Sequence, residues 1–205
     1  GDFVIVGDTV LDVWSADEPD RETIGDLRAC FALGRGRTPH QNVLFLADEL
    51  VEIIARALSP GINDPFTAIT CIDWLKVGLA CFMDHEYEKA DTDQSGPVRI
   101  YRVTFERFAS RILEQSRQYV CTDRNVTLHM IACLTEIAAR HEDGEPRQLI
   151  VSHMRTLADA SAATLEEHSG AKDVADRYRD ALTILDDPNG YEKFRNGQTW
   201  FGGRG

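Results

Sequence analysis

The stretch RALSPGINDPFTAITCIDWLKVGLACFM, residues 56–83, predicts two apolar helices joined by a tight corner. Ser59–Gly61 should stop the first helix near Leu58, because proline cannot continue a helix and glycine readily adopts the left-handed conformation that ends one. Asp64 stands immediately before Pro65, which favours Asp64 as an N-cap and Pro65 as the first helical residue. We therefore expect the rest of the chain to be organised around this corner.

The second of these helices is apolar around almost its whole circumference, which predicts a central place in the core. Its two apolar stripes hold Ala68, Ile72, Leu75, Leu79 and Phe82, and Cys71, Trp74, Gly78 and Cys81. Asp73 and Lys76 interrupt the run, so that a soluble core helix is expected and not a membrane span. Trp74 should then be buried, and its replacement by alanine should cost about 3–5 kcal/mol.

The corner is part of a longer pattern. Arg37-Thr38-Pro39-x-Gln41, then Leu-Val-Glu-Ile, and then the run from Arg56 to Asp73 closely resemble the bacterial integral-membrane family catalogued as domain of unknown function 2254. The likeness is strong from Gly1 to about Leu79 and looser through the later helices. In that family, transmembrane helices precede a soluble region. The resemblance therefore implies a soluble domain whose partner is the transmembrane region of the same chain, and it implies no established activity.

One position departs from the family pattern. An aspartate commonly follows the glutamine there, with a Pro-x-Phe-Gly turn next, whereas this chain has Asn42 after Gln41 and continues with Val43–Leu46. A role that needs an acid at this position is therefore not expected here. Thr38–Gln41 itself reads as a capping box that starts the helix running to Leu58.

Charge limits the partners of this protein. The 205 residues include 22 Lys and Arg against 34 Asp and Glu, which gives a formal net charge of −12. No run of basic residues is longer than two, so neither nucleic acid nor an anionic membrane surface is an expected partner.

The five cysteines occupy apolar helix faces, are odd in number and form no Cys-x-x-Cys pair. This pattern predicts unbridged thiols and favours a reducing compartment. We expect the full-length protein at the inner (cytoplasmic) membrane, with this region on the cytoplasmic side.

The order of elements predicts a mainly α fold, an antiparallel helical domain with a small N-terminal β-hairpin or partial sandwich. Residues 1–14 contain two β-rich runs around a Gly-Asp turn. Residues 21–185 form the helical domain, with one strand near 98–103 that could pair with the hairpin. Residues 186–205 form a tail or strap. The first helix should cover residues 21–33, with Ile24, Leu27 and Phe31 inward. The later ones should cover 105–120, 124–140 after an Asp123 cap, 146–168 and 171–185.

No cofactor is expected. The β-rich start also resembles half of a biotinyl or lipoyl carrier domain, but no lysine occurs before Lys76 to hold a prosthetic group. His129 and Cys133 are four residues apart and could begin a metal site. No second pair of ligands has zinc-like spacing, so no metal site is expected either.

Two polar segments, each beside a helix N-terminus, are the candidate ligand-binding sites. Their residues are Arg35, Arg37 and Gln41 in one segment, and Asn63, Asp64 and Thr67 in the other. Arginines beside a helix N-terminus suit a small anion such as phosphate or a carboxylate. The competing interpretation is structural: the arginines pair with local acids, and Asp64 serves as a cap.

Three functions remain open, and none of them assigns a catalytic residue. The leading hypothesis is a non-catalytic cytoplasmic regulatory or assembly domain of an integral-membrane protein. The alternative is a small-anion-binding or hydrolytic enzyme domain that uses residues 35–41 and 59–67, and a third is a homo-oligomerisation module. A single open pocket shared by the two polar segments would favour the enzyme, whereas a corner whose polar groups satisfy one another would favour the first hypothesis.

Overall fold

A computed structural model describes residues 3–36, 42–84, 92–93, 100–101, 103–141, 144–187, 189–190 and 192. Within these ranges the chain is mainly helical, as predicted. The seven helices found there are α1 (Arg21–Ala29), α2 (Val43–Ala57), α3 (Pro65–Asp84), α4 (Phe105–Val120), α5 (Arg124–Ala139), α6 (Glu145–Thr164) and α7 (His168–Asp186). Two short strands, β1 (Thr92–Asp93) and β2 (Ile100–Tyr101), pair antiparallel. The chain divides into two compact units, residues 1–46 and 47–205.

The predicted N-terminal β-hairpin or partial sandwich is wrong. Residues 3–14 form no strand. A local turn replaces it, in which Ile5 N donates to the Asp8 carboxylate at 2.9 Å and Asp8 N donates to the Ile5 carbonyl at 3.1 Å. Two short β-rich runs cannot bury a face by themselves, and an isolated two-stranded hairpin is marginally stable in water. The expected pairing of a strand near 98–103 with this region is also wrong, because β2 pairs with β1.

Helix α1 is shorter and more exposed than predicted. Its N-cap is Asp20, which accepts Thr23 N at 2.8 Å, and the helix ends at Ala29. None of its nine residues is buried. Ile24 and Leu27 are half-buried, but Phe31 lies beyond the end of the helix and is exposed, so the predicted inward stripe is wrong at Phe31. The described residues of the first unit contain no other complete helix or strand against which this stripe could pack.

Asn42 caps the described start of helix α2. The predicted capping box, Thr38–Gln41, lies outside the described residues. The described helix starts at Val43, and the side chain of Asn42 accepts Phe45 N at 3.2 Å. The residue that departs from the family pattern thus serves as a helix cap, which asparagine does as well as aspartate.

Helix α5, and not α3, is the centre of the second unit. Ten of its sixteen residues are buried, and it packs against α3, α6 and α7. Helix α3 buries one face only, formed by Ala68, Cys71, Ile72, Leu75 and Leu79. Trp74 is 63% exposed, so the prediction that it belongs to the core is wrong. An apolar sequence shows that burial of a helix face would be favourable. It does not show whether other helices of the same unit pack against that face.

The later helices agree with the sequence predictions within four residues at each end. Thr104 and Asp123 cap α4 and α5 by accepting Arg107 N at 3.2 Å and Val126 N at 2.9 Å. Helix α6 carries Pro146 in its first turn. Most of the predicted tail or strap, from residue 193 onward, lies outside the described residues.

Ion pairs join the helices of the second unit. Arg111 of α4 makes two hydrogen bonds of 2.6 Å to the carboxylate of Asp48 on α2. Arg124 of α5 pairs with Asp173 of α7 at 2.5 Å. A bidentate arginine–carboxylate pair fixes geometry as well as distance, so that Asp48 and Arg111 set the register of α2 against α4.

Candidate functional site

The corner between α2 and α3 satisfies much of its own backbone. The carbonyl of Ala57 accepts Asp64 N at 2.8 Å, and the carbonyl of Ser59 accepts Asn63 N at 3.0 Å. The sequence predicts the left-handed conformation at Gly61, but the structure has it at Asn63, whose φ is 46°. Asparagine is one of the few residues other than glycine that tolerate this region, because its short polar side chain bonds locally.

Asp64 is the N-cap of α3, as the sequence predicts. Its Oδ1 accepts Thr67 N at 3.2 Å, and its Oδ2 accepts the Thr67 hydroxyl at 2.6 Å. The hydroxyl and then the backbone N–H of Thr67 hold the pKa of Asp64 below the ordinary aspartate value. The carboxylate is therefore engaged with the helix that it caps.

This geometry predicts how two Asp64 variants differ. Asp64→Ala should lower the melting temperature, because the N–H and hydroxyl of Thr67 lose their acceptor, whereas Asp64→Asn should stay close to wild type because asparagine also caps. The stabilisation is fully present above the unfolded-state pKa, near 3.8, and is lost as pH falls through the lower folded-state pKa. The difference in melting temperature between the wild type and Asp64→Ala should therefore become smaller in acid. Equal losses for alanine and asparagine at neutral pH would contradict the capping role.

The structure describes four of the six predicted ligand-binding residues. Arg37 and Gln41 lie outside the described residues, and Arg35 is exposed in the first unit. Asn63, Asp64 and Thr67 are in the second unit, where Asp64 and Thr67 bond to each other. Anion binding at these positions stays a prediction.

A different cluster of reactive side chains joins α3 to α5. Nε2 of His129 lies 2.7 Å from Oδ1 of Asp73 and 3.5 Å from Sγ of Cys133, and Sγ of Cys133 lies 3.8 Å from the same Oδ1. A spacing of four residues places His129 and Cys133 on one face of α5. Sequence reasoning found this pair but missed Asp73, which lies 56 residues before His129 and reaches it only through the packing of α3 on α5.

The charges around Cys133 determine its chemical state. Burial raises the pKa of this thiol to about 12; Lys76 opposes the rise, while Asp73 and Glu136 add to it. Lys76 and Glu136 form a largely buried ion pair of their own. The thiol is therefore neutral at physiological pH, which argues against Cys133 as an activated nucleophile.

The opposite side of α3 forms a third feature, which we call the outer face. It consists of Phe66, Thr70, Asp73, Trp74, Val77 and Cys81, all exposed. Phe66 is 79% exposed and Val77 is 51% exposed. Together with Trp74 they make three large apolar side chains along one line of the helix. Asp73 is the one charged member of this set.

Among the described residues, Pro65–Asp84 is one helix that is long and apolar enough to cross a membrane, judged by length and composition alone. Core helices of soluble proteins meet the same criterion. Helix α3 differs from a typical core helix in the large apolar side chains that its outer face leaves uncovered in the second unit.

Comparison with known proteins identifies the family of the chain. The family model described as predicted membrane protein (DUF2254) matches residues 1–136, which include the corner, the outer face and the Asp73–His129–Cys133 cluster. Comparisons with curated proteins and with solved structures gave no match. The match covers well over half of the sequence, and the chain therefore belongs to the DUF2254 family of predicted membrane proteins.

Proposed function

We propose that this region is a non-catalytic assembly domain of a membrane protein, and that it associates with a second copy of itself through the outer face of α3. The observation that carries the proposal is the exposed line of Phe66, Trp74 and Val77 on a helix whose other face lies in the core. Burying a large apolar side chain stabilises by about 1.5–3 kcal/mol. Large contiguous apolar patches on the surface of a protein mark sites of interaction.

The outer face is complementary to itself. An antiparallel pair of α3 helices, with a twofold axis between positions 73 and 74, places Phe66 opposite Cys81 and Thr70 opposite Val77. Phe66 then meets the smaller Cys81, and each Trp74 lies opposite Asp73 beside the axis. A twofold interface requires one surface to fit its own copy, which this spacing supplies.

Charge opposes self-association least at the outer face. The chain carries a net charge of −12, so two copies repel each other over most of their surfaces. Asp73 is the one charged side chain of the outer face that this pairing brings near its own copy, and it contacts His129. An anionic bilayer surface would be repelled by the same net charge, which makes it a weaker candidate for covering the face.

The cytoplasmic side is part of this proposal. All five cysteines lie in the described ranges and are unbridged, including Cys30 and Cys81 at the surface, which supports a reducing compartment. A membrane-impermeant maleimide should label Cys30 of the full-length protein in inside-out vesicles and not in right-side-out vesicles. Labelling in right-side-out vesicles alone would overturn the proposed sidedness.

Association through the outer face predicts the behaviour of a charge variant. Val77→Asp should convert a dimer to a monomer in light scattering, because it buries an unpaired carboxylate opposite Thr70 in each half of the interface without disturbing the core face of α3. Ser152→Asp, which adds an acid at an exposed position of α6, is the matched control and should remain dimeric. A dimer that survives Val77→Asp, or a wild-type protein that is monomeric at high concentration, would contradict the proposal.

A further inference from the structure

We propose that Asp73, His129 and Cys133 form a binding site for a zinc-like transition-metal ion between α3 and α5. Their three ligand atoms, a carboxylate oxygen, an imidazole nitrogen and a sulfur, all lie within 4.8 Å of one another. These are the three side-chain types that hold Zn²⁺ in proteins. The site shares Asp73 with the outer face, but it assigns chemistry that self-association does not require.

The two distances from Sγ of Cys133 are near those expected around a tetrahedral ion. Bonds of about 2.0 Å to nitrogen and oxygen and about 2.3 Å to sulfur place sulfur about 3.5 Å from either of the other atoms, and nitrogen about 3.3 Å from oxygen. The structure has 3.5 Å from Sγ to Nε2 and 3.8 Å from Sγ to Oδ1. The 2.7 Å contact between Nε2 and Oδ1 is a hydrogen bond, and it must lengthen by about 0.6 Å when an ion replaces the shared proton.

The surroundings leave room for a fourth ligand. The Asp73 side chain is 54% exposed and that of His129 is 20% exposed, whereas Cys133 is buried beneath them. Three protein ligands on a solvent-facing edge leave one coordination position for water, the arrangement of an open site and not of a closed structural one.

The binding step balances in atoms and charge. The ion enters as a dication, and the thiol proton of Cys133 leaves to solvent. The proton that Nε2 of His129 shares with Asp73 is lost to solvent while Nδ1 takes one up, so that the ring stays neutral and binds the ion through Nε2. The resulting thiolate and the Asp73 carboxylate together neutralise the ion. The ion would thereby clamp α3 to α5 one residue away from Trp74 of the outer face.

Cobalt supplies the test, because Co²⁺ occupies zinc sites and a thiolate ligand gives it a charge-transfer absorption band. The purified protein, cleared of metal by a chelator, is titrated with Co²⁺ and then with Zn²⁺. We expect one equivalent to bind with a thiolate band, which Zn²⁺ abolishes by displacement. Cys133→Ser should lose the band. Asp73→Asn changes a half-exposed residue, so the variant should fold. It should weaken Co²⁺ binding by more than the roughly 10–100-fold that is typical when a residue that only hydrogen-bonds to a metal ligand is replaced.

Cys71→Ser is the matched control, since Cys71 is a buried thiol of α3 outside the cluster. It should keep the band, the stoichiometry and the rise in melting temperature that Zn²⁺ gives the wild type. Far-ultraviolet circular dichroism of each variant checks that the helices are retained. Absence of a thiolate band in folded wild-type protein, or a band that persists in folded Cys133→Ser, would overturn the proposal.

Discussion

Phe108→Ala is expected to lower the free energy of unfolding by about 3–5 kcal/mol. The Phe108 ring is buried between α3 and α4, where it stacks on Phe82 with ring centroids 4.4 Å apart. The ring also explains the glycine at position 78, because a Cβ there would lie 2.9 Å from its Cζ atom. Alanine would leave a cavity that neither neighbour can fill, and urea denaturation monitored by circular dichroism measures the loss.

Trp74→Ala is the control for this experiment. The sequence alone predicts a loss of about 3–5 kcal/mol for this variant, whereas the exposed indole predicts less than about 1 kcal/mol. The measurement belongs at protein concentrations low enough to keep the chain monomeric, because self-association would add its own stabilisation. Equal losses for Phe108→Ala and Trp74→Ala would show that the outer face of α3 is packed within the monomer.

Ile131→Ala is expected to cost about 2–5 kcal/mol. Ile131 is completely buried in α5, the helix that packs against α3, α6 and α7, so its removal opens a cavity at the centre of the second unit. Ile53→Ala, which truncates an exposed isoleucine of α2, should change stability by less than about 1 kcal/mol. If Ile53→Ala were the more damaging of the two in the same denaturation series, α5 would not be the central helix.

The helix caps and the bounds of the later helices can be predicted from the sequence. Asp64 and Asp123 were predicted as caps because a cap needs only an acceptor side chain before a helical run, and both side chains accept the expected N–H groups. The bounds of α4 to α7 follow in the same way from apolar periodicity and short polar links. The mainly α fold could therefore be predicted without knowledge of how the helices pack.

The packing of the helices against one another cannot be predicted from the sequence in the same way. Trp74 and Leu79 look equally apolar in the sequence, and only the placement of α4 and α5 decides that Leu79 is covered while Trp74 is not. The joining of Asp73 to His129 depends on the register of α3 against α5, which no spacing along one helix encodes. Asn63 took the left-handed conformation expected of Gly61, because the hydrogen bonds of the whole corner determine where the chain reverses.

Cross-linking at position 74 tests the proposed assembly most directly. In full-length protein whose exposed Cys30 and Cys81 are replaced by serine, Trp74→Cys places two thiols beside the proposed twofold axis, where a disulfide can form. Mild oxidation in the native membrane should then give a covalent dimer, whereas Ser152→Cys in the same background should stay monomeric. A Trp74→Cys protein that remains monomeric, or whose thiol reacts instead with a lipid-soluble reagent, would contradict self-association through the outer face of α3.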